Sequence, residues 1–529
     1  MSGVIAAGSQ KTAAAGATIL KQGGNAIDAA VAAAFMSFIA EIGVVHLGGS
    51  GVAHIYDPGS GRSLVYDFFS NTPGLNGTPP DKLDFTEVMI DFGATTQSFH
   101  IGRASMAVPG NIGGLCQMAA DYGRLPLKTL LEPAITYAQT AQPISPFQAR
   151  TCQLLSSLYT HTEMMRNIFA PNGRMIQAGE PLYIPHLADT LRTLAAAGIE
   201  YARTGALAQA ILADQKANGG LLTESDLANY TVHKNQSIRL PYREYEILLP
   251  PPCSSGGVLT AFTLKLLAAF DVSKLEHGST RHLQLLYEVM AATNRARKVW
   301  DDMDKETAVH TTIDQFLDNN FVQTYLDEIV AAIENGRPSP FVPEPQGANN
   351  TSHLSVIDGQ GLSVSLTTTA GESAGYVVPG TGYIPNNIMG EADLHPDGFH
   401  TSTPGRRIPT MMTPAIVLQD GKTRLVVGSG GSIRIRSAIL QVLSNLLDFQ
   451  MTLHDAVNTH RVHVESGALQ CEAGFDPHAV YALAGMGYGI NRWSSRSIYF
   501  GGAHSVSRTE NGRLVAAGDN RRDGATAEA

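Results

Sequence analysis

Two runs of β-branched and alternating residues, 351–357 and 362–369, flank Asp358-Gly359-Gln360-Gly361. This pattern predicts a β-hairpin, because the glycines in the turn tolerate positive φ. Partner numbers sum to 719 if the turn centres on Gly359 and Gln360, or to 720 with one bulged residue. Thr351 then faces Thr368 or Thr369, with Cβ atoms about 5 Å apart if directly opposed. In the first half the period is mainly helical. The Ala-rich residues 11–40 break at Gly23-Gly24-Asn25, a helix–turn–helix junction. Helical patterns recur over about 112–122, 127–141, 187–197, 205–217, 258–270, 280–299 and 312–334. A hairpin is predicted for Val52–Tyr56 and Ser63–Tyr66.

The second half is richer in strands. Ala415–Leu418 and Lys422–Val427 flank Asp420-Gly421, and Ser505–Arg508 and Arg513–Ala516 flank Glu510-Asn511-Gly512. Helical stretches near 433–448 and 452–459 separate them. Antiparallel strands with helices outside predict an α+β fold, a four-layer αββα sandwich with a helix-rich first portion. Between the halves, Arg337-Pro338-Ser339-Pro340-Phe341-Val342-Pro343-Glu344-Pro345 cannot continue a helix. An extended loop is expected over 337–350, either an ordinary linker or a segment around a processing site.

Composition narrows the partners. At 529 residues, length alone suggests roughly two to four domains. A net charge of −10 recommends no nucleic acid. The most apolar stretch, Ala29 to Ala40, falls short of the about 20 residues a membrane span needs and reads as a buried helix. No basic region precedes an apolar core at the N-terminus, so the expected location is cytoplasmic. Cys116, Cys152, Cys253 and Cys471 are too scattered for a metal site and read as unpaired thiols. His46, His100 and His161 read as structural or surface residues. The acidic run Asp301-Asp302-Met303-Asp304 reads as a solvated helix end. No metal or organic cofactor is expected.

A threonine at a strand start with a second hydroxyl beside it is what an amine-activated threonine nucleophile requires. The segment Asn350-Thr351-Ser352-His353-Leu354-Ser355-Val356 resembles the processing site of the γ-glutamyltransferase family, usually Asn-Thr-Thr-His-x-Ser-Val. Gly23–Ala30, Gly48-Gly49-Ser50-Gly51, Val108-Pro109-Gly110, Pro250–Gly257 and Gly428-Ser429-Gly430-Gly431 resemble further family signatures, in family order. The resemblance implies an N-terminal-nucleophile hydrolase fold. It also implies self-cleavage between Asn350 and Thr351 into a large subunit, 1–350, and a small subunit, 351–529. A dimer of processed heterodimers is one possible assembly. Thr351 is the implied nucleophile and Thr369 its positioning partner. Gly430 and Gly431 are the implied oxyanion pair, with Ser432 an alternative to one of them. His353 reads as a structural or processing residue.

Other positions depart from the family. Phe69 stands where the family has a carboxylate-binding Arg, and Gly371 where it has an Asn. Asn387 is kept, whereas Ile388 replaces a Gln and Glu391 an Asp. Thr410-Met411 replaces a Ser-Ser pair. The expectation is a self-processing amidohydrolase or acyltransferase acting on a small amide or peptide, with a more apolar acyl pocket. Arg103, Arg406 and Arg407 are the candidates to restore carboxylate binding. The alternatives are a genuine γ-glutamyl hydrolase or transferase, a specialised biosynthetic enzyme, and an inactive scaffold.

Overall fold

The computed structural model describes residues 2–91, 96–303, 305, 309–342 and 350–529. Residues 337–342 form neither helix nor strand; the rest of the expected loop, 343–349, and Asp304 of the acidic run lie outside the described residues.

Two large antiparallel sheets form the centre of the described residues. The first runs in the order Ala525–Glu528, Gly3–Ala7, Ser352–Asp358, Ser363–Thr369, Ser50–Asp57, Arg62–Phe68, His233–Gln236. The expected hairpin lies in its interior. Its register runs from Ser352↔Thr368 to Ile357↔Ser363, so the bulged count is the one formed and Thr369 is the partner in line with Thr351. Asp358 closes the turn by accepting from the Gln360 and Leu362 amides at 2.9 and 3.1 Å. Its second oxygen accepts from the Ala26 amide at 3.1 Å, which ties the turn to a helix start. The second sheet runs Leu514–Ala517, Ser505–Arg508, Lys422–Val427, Ala415–Gln419, Tyr245–Leu249, Ile238–Tyr242.

The period of two along the hairpin sorts its side chains. Leu354, Val356, Val364 and Leu366 join a core with the helices Gln10–Lys21 and Ala26–Ala40. The odd-numbered residues face the second sheet. There Ile357 packs with Val4, Ile416, Val426 and Val506. Ser355 and Ser365 donate to the carbonyls of His504 and Val427 at 2.9 and 3.0 Å. Thr351 and Thr369 continue this hydroxyl-lined series at the open end of the hairpin.

Helix Ala26–Ala40 is apolar on every side and buried along almost its whole length, as a helix without a polar face has to be. Asn25 and Asp28 cap its start reciprocally. Helices Ser255–Ala268, Thr280–Asp302 and Ile435–Leu447 share a core with the outer face of the second sheet, including Val417, Leu425 and Val427. The single helix expected over 312–334 is two, Val309–Phe316 and Asn319–Asn335, because Asp318 caps the second by accepting from the Asn320 amide at 2.8 Å. The strands Gly3–Ala7, His233–Gln236, Ile238–Tyr242, Tyr245–Leu249 and Ala525–Glu528 were not legible as alternating runs. No helix among the described residues is long and apolar enough to cross a membrane.

Candidate active site

Thr351 heads strand Ser352–Asp358 and is buried with Asn350. Three hydrogen bonds fix Asn350. The Thr369 hydroxyl donates to its carbonyl oxygen at 2.7 Å. Its amide and its side-chain Nδ2 donate to the two carboxyl oxygens of Glu372 at 3.0 and 2.8 Å. The donor from Thr369 thus lies on the carbonyl that would carry negative charge if the Thr351 hydroxyl attacked it. His353 uses both ring nitrogens on Thr367 and Ser355, each at 2.9 Å, and burial holds it neutral. It is a strut of the hairpin.

Glycine motifs surround this pair for steric reasons. A Cβ on Gly49 would stand 2.1 Å from the Thr369 carbonyl oxygen, and one on Gly430 2.1 Å from that of Thr351. Arg522 donates to the same Thr351 carbonyl at 3.2 Å. The Gly430 amide points at the Gly502 carbonyl, 3.4 Å away. Gly431, at φ 123, leads through the short helical turn Ser432–Arg434 into helix Ile435–Leu447. The Ser432 hydroxyl donates to Asp393 at 2.9 Å.

The positions that depart from the family fall into two groups. Phe69 and Ile388 belong to the core beneath the second sheet, at 1% and 0% exposure. Both side chains are packed in that core, and neither lines the cavity formed beside Thr410 and Met411. Thr410 and Met411 do line a cavity of about 160 Å³, with Asp393, His395, Arg297, Lys305 and Arg406 on its other sides. Neither Thr351 nor Thr369 is among its lining residues. Gly371, at φ 67, turns the chain after Thr369. Asn387 holds that turn by accepting from the Glu372 and Ser373 amides at 2.7 and 3.3 Å. Glu391 is buried beside it. Burial, then Asp393 and Glu372, push its carboxyl well above the usual range.

The three arginines also separate. Arg103 is held by Asp214 and Asp84 at 3.1 and 3.3 Å and does not line the cavity. Arg407 lines it, but its guanidinium donates to the Phe69 carbonyl, to the Tyr230 hydroxyl at 2.9 Å and to the Thr231 carbonyl at 2.7 Å. Arg406 also lines it.

Sequence reasoning missed Glu372, Arg522, Asp393 and Glu41. Glu41 is buried and accepts from the hydroxyls of Thr12 and Ser352 at 2.6 and 2.5 Å; burial pushes its carboxyl up to about 7. Burial pushes Glu372 up to about 8, against the pull of the Asn350 donors, Arg522 and Arg434. The three acids are lone residues without periodic neighbours, and Arg522 sits in the charged run 519–523, so only the folded chain reveals their partners. Among the described residues no three His, Cys, Asp or Glu side chains group as a metal site. All four cysteines are unpaired.

A buried threonine pair between two sheets, set against a glycine turn, has the parts that acyl transfer or hydrolysis by a threonine would use. The chain belongs to the γ-glutamyltranspeptidase family, whose model matches residues 12–529. It is 33% identical over 528 residues to an acylase ACY 1 proenzyme of Pseudomonas sp. (strain SE83), covering 99% of this chain and 92% of the relative. It is 29% identical to a glutathione hydrolase proenzyme of Bacillus subtilis (strain 168), covering 99% and 91%. The fold is shared with the crystal structure of cephalosporin acylase from Bacillus halodurans, at a TM-score of 0.83 and 24% identity, over 100% of this chain and 96% of that one.

Proposed function

We propose that this chain is a proenzyme that cleaves itself between Asn350 and Thr351, then uses Thr351 as an N-terminal nucleophile on an amide or peptide. The observation that carries the reading is the Thr369 hydroxyl, 2.7 Å from the Asn350 carbonyl oxygen at the head of the Thr351 strand. In the first reaction the Thr351 oxygen attacks that carbonyl carbon. The C–N bond breaks, the nitrogen takes up the hydroxyl proton, and water hydrolyses the resulting ester. The products are a carboxylate on Asn350 and a free amine on Thr351. An α-amine has an unperturbed pKa of about 7.7–8.0, which suits a general base near neutral pH. The same hydroxyl then accepts an acyl group from substrate and yields it to water or an amine. The reading takes the two facing sheets and their outer helices as the four-layer αββα sandwich of N-terminal-nucleophile hydrolases. Subunits of residues 1–350 and 351–529 follow from it.

The acyl group we favour is not a free γ-glutamyl. The 33% identity to an acylase proenzyme supports this view. A second reading, a true γ-glutamyl hydrolase, is favoured by Asn387 and Glu391 beside the turn and by Arg406 on the cavity wall. Turnover of γ-glutamyl-p-nitroanilide against a panel of other acyl anilides separates the two. A panel led by the γ-glutamyl compound refutes the first. Self-cleavage is checked on a denaturing gel: bands of about 37 and 19 kDa replace the 56.2 kDa chain, in proportion to the residues in each part. A persistent single band refutes it.

A further inference from the structure

We propose that Glu372 is the positioning residue for self-cleavage, gripping the backbone and side chain of Asn350 with its two carboxyl oxygens. The inference rests on the self-cleavage reading and adds to it a residue outside the threonine pair and the glycine turn. Self-cleavage needs the Asn350 carbonyl to present its carbon to the Thr351 hydroxyl and its oxygen to Thr369. One hydrogen bond from Thr369 leaves the peptide plane free to pivot about that bond. The two contacts from Glu372, at 3.0 Å to the Asn350 amide and 2.8 Å to Nδ2, fix the residue on the other side of its Cα, so that only the ψ torsion of Asn350 remains to place the carbonyl.

The grip is itself braced. The Glu372 amide donates to the Asn387 side chain at 2.7 Å, its carbonyl meets His46 Nε2 at 3.3 Å, and Gly371 provides the reversal that turns its side chain back toward Asn350. Glu372 is 2% exposed, so water does not compete for its oxygens. A buried acid must be matched by donors, and Asn350 supplies two from one residue. This gives Asn at the residue before the cut a physical reason: its side chain is the second prong of the grip.

The test exploits a reciprocal exchange. In Glu372→Gln the oxygen still accepts from the backbone amide, but its new amino group meets the Asn350 amino group, donor against donor. In Asn350→Asp, assayed above pH 8 where Glu372 has lost its proton, two carboxylates face each other. In the double variant the Gln amino group donates to the new carboxylate at position 350, and both contacts return. Displacement of a reacting group by about 1 Å costs on the order of 10²-fold in rate. Each single variant is therefore expected to process about 10²-fold more slowly than wild type on a gel time course, and the double variant to recover most of that loss. Loss of packing alone would add the two defects rather than cancel them. Glu372→Gln at the wild-type rate, or a double variant no faster than the slower single one, overturns the proposal. If Glu372→Gln fails to fold, Asn350→Asp and the double variant decide by the same criterion. Thr351→Ala, run beside them, separates the two readings. Wild-type cleavage that Thr351→Ala retains removes the self-cleavage reading, and the role of Glu372 falls with it. Cleavage that Thr351→Ala abolishes but Glu372→Gln keeps removes only the role of Glu372.

Discussion

Gly430→Ala tests how tightly the cut site is held. The added Cβ would fall 2.1 Å from the Thr351 carbonyl oxygen and 3.0 Å from both its carbonyl carbon and Arg522 Nη1. Real Cβ contacts essentially never fall under 3.0 Å and ordinary ones begin at 3.4 Å, so about 1 Å of separation has to be made. Neither backbone yields freely. Gly430 is bridged to Gly502, and Thr351 leads directly into a strand paired on both sides. Overpacking of this kind costs about 1–3 kcal/mol of stability. A displacement of about 1 Å of Thr351, which carries the attacking hydroxyl, slows cleavage on the order of 10²-fold. The assay follows the fraction of purified chain converted to two bands over time, with the urea midpoint measured alongside. Gly485→Ala is the control, because a Cβ there meets nothing within 4 Å. A Gly430→Ala chain that cleaves at the wild-type rate with an unchanged midpoint would refute the steric argument.

Three further outcomes follow from the same geometry. Thr369→Val keeps the shape but removes the donor on the Asn350 carbonyl; on a gel time course self-cleavage falls about 10²–10³-fold, with little change in melting temperature. Phe69→Arg places a guanidinium in a packed core; thermal melting shows a loss of several kcal/mol, and assay of γ-glutamyl-p-nitroanilide shows no gain in turnover. Stability against pH follows from two opposed sets of buried groups. Glu41 and Glu372 have raised folded pKa values, about 7 and 8, so their contribution is lost as pH rises from 4.5 through those values. His46, His54, His395 and His504 are depressed to about 4, so theirs is lost as pH falls from 6.5 through 4. Melting temperature of the Thr351→Ala chain is expected to peak near pH 6.5, and a rise continuing to pH 9 would contradict the buried carboxyls.

The sequence carried the hairpin because a period of two and a glycine turn are local signals, and its register could be counted to within one residue. It carried the long apolar helices for the same reason. The strands at 233–249 were hidden by short length and polar content: His233–Gln236 is an edge strand whose side chains are largely exposed. The site was half legible. Thr351, Thr369 and the glycines lie in motifs, but a motif does not say which way a neighbouring side chain turns. Phe69 and Ile388 turned into the core, and Glu372 turned toward Asn350 because of Gly371 and Asn387.

The order of strands in the first sheet has a consequence for how the protein ages. Ala525–Glu528 and the hairpin 352–369 are interleaved with Gly3–Ala7 and Ser50–Asp57, which lie on the other side of the proposed cut. A nick at 350–351 breaks no ladder, so the two fragments stay folded together without a covalent link. Unfolding is another matter. An intact chain recovers its sheet by a unimolecular route, whereas nicked fragments must first find each other at a rate set by their concentration. Maturation would therefore turn a protein that can be refolded into one whose lifetime depends on never unfolding.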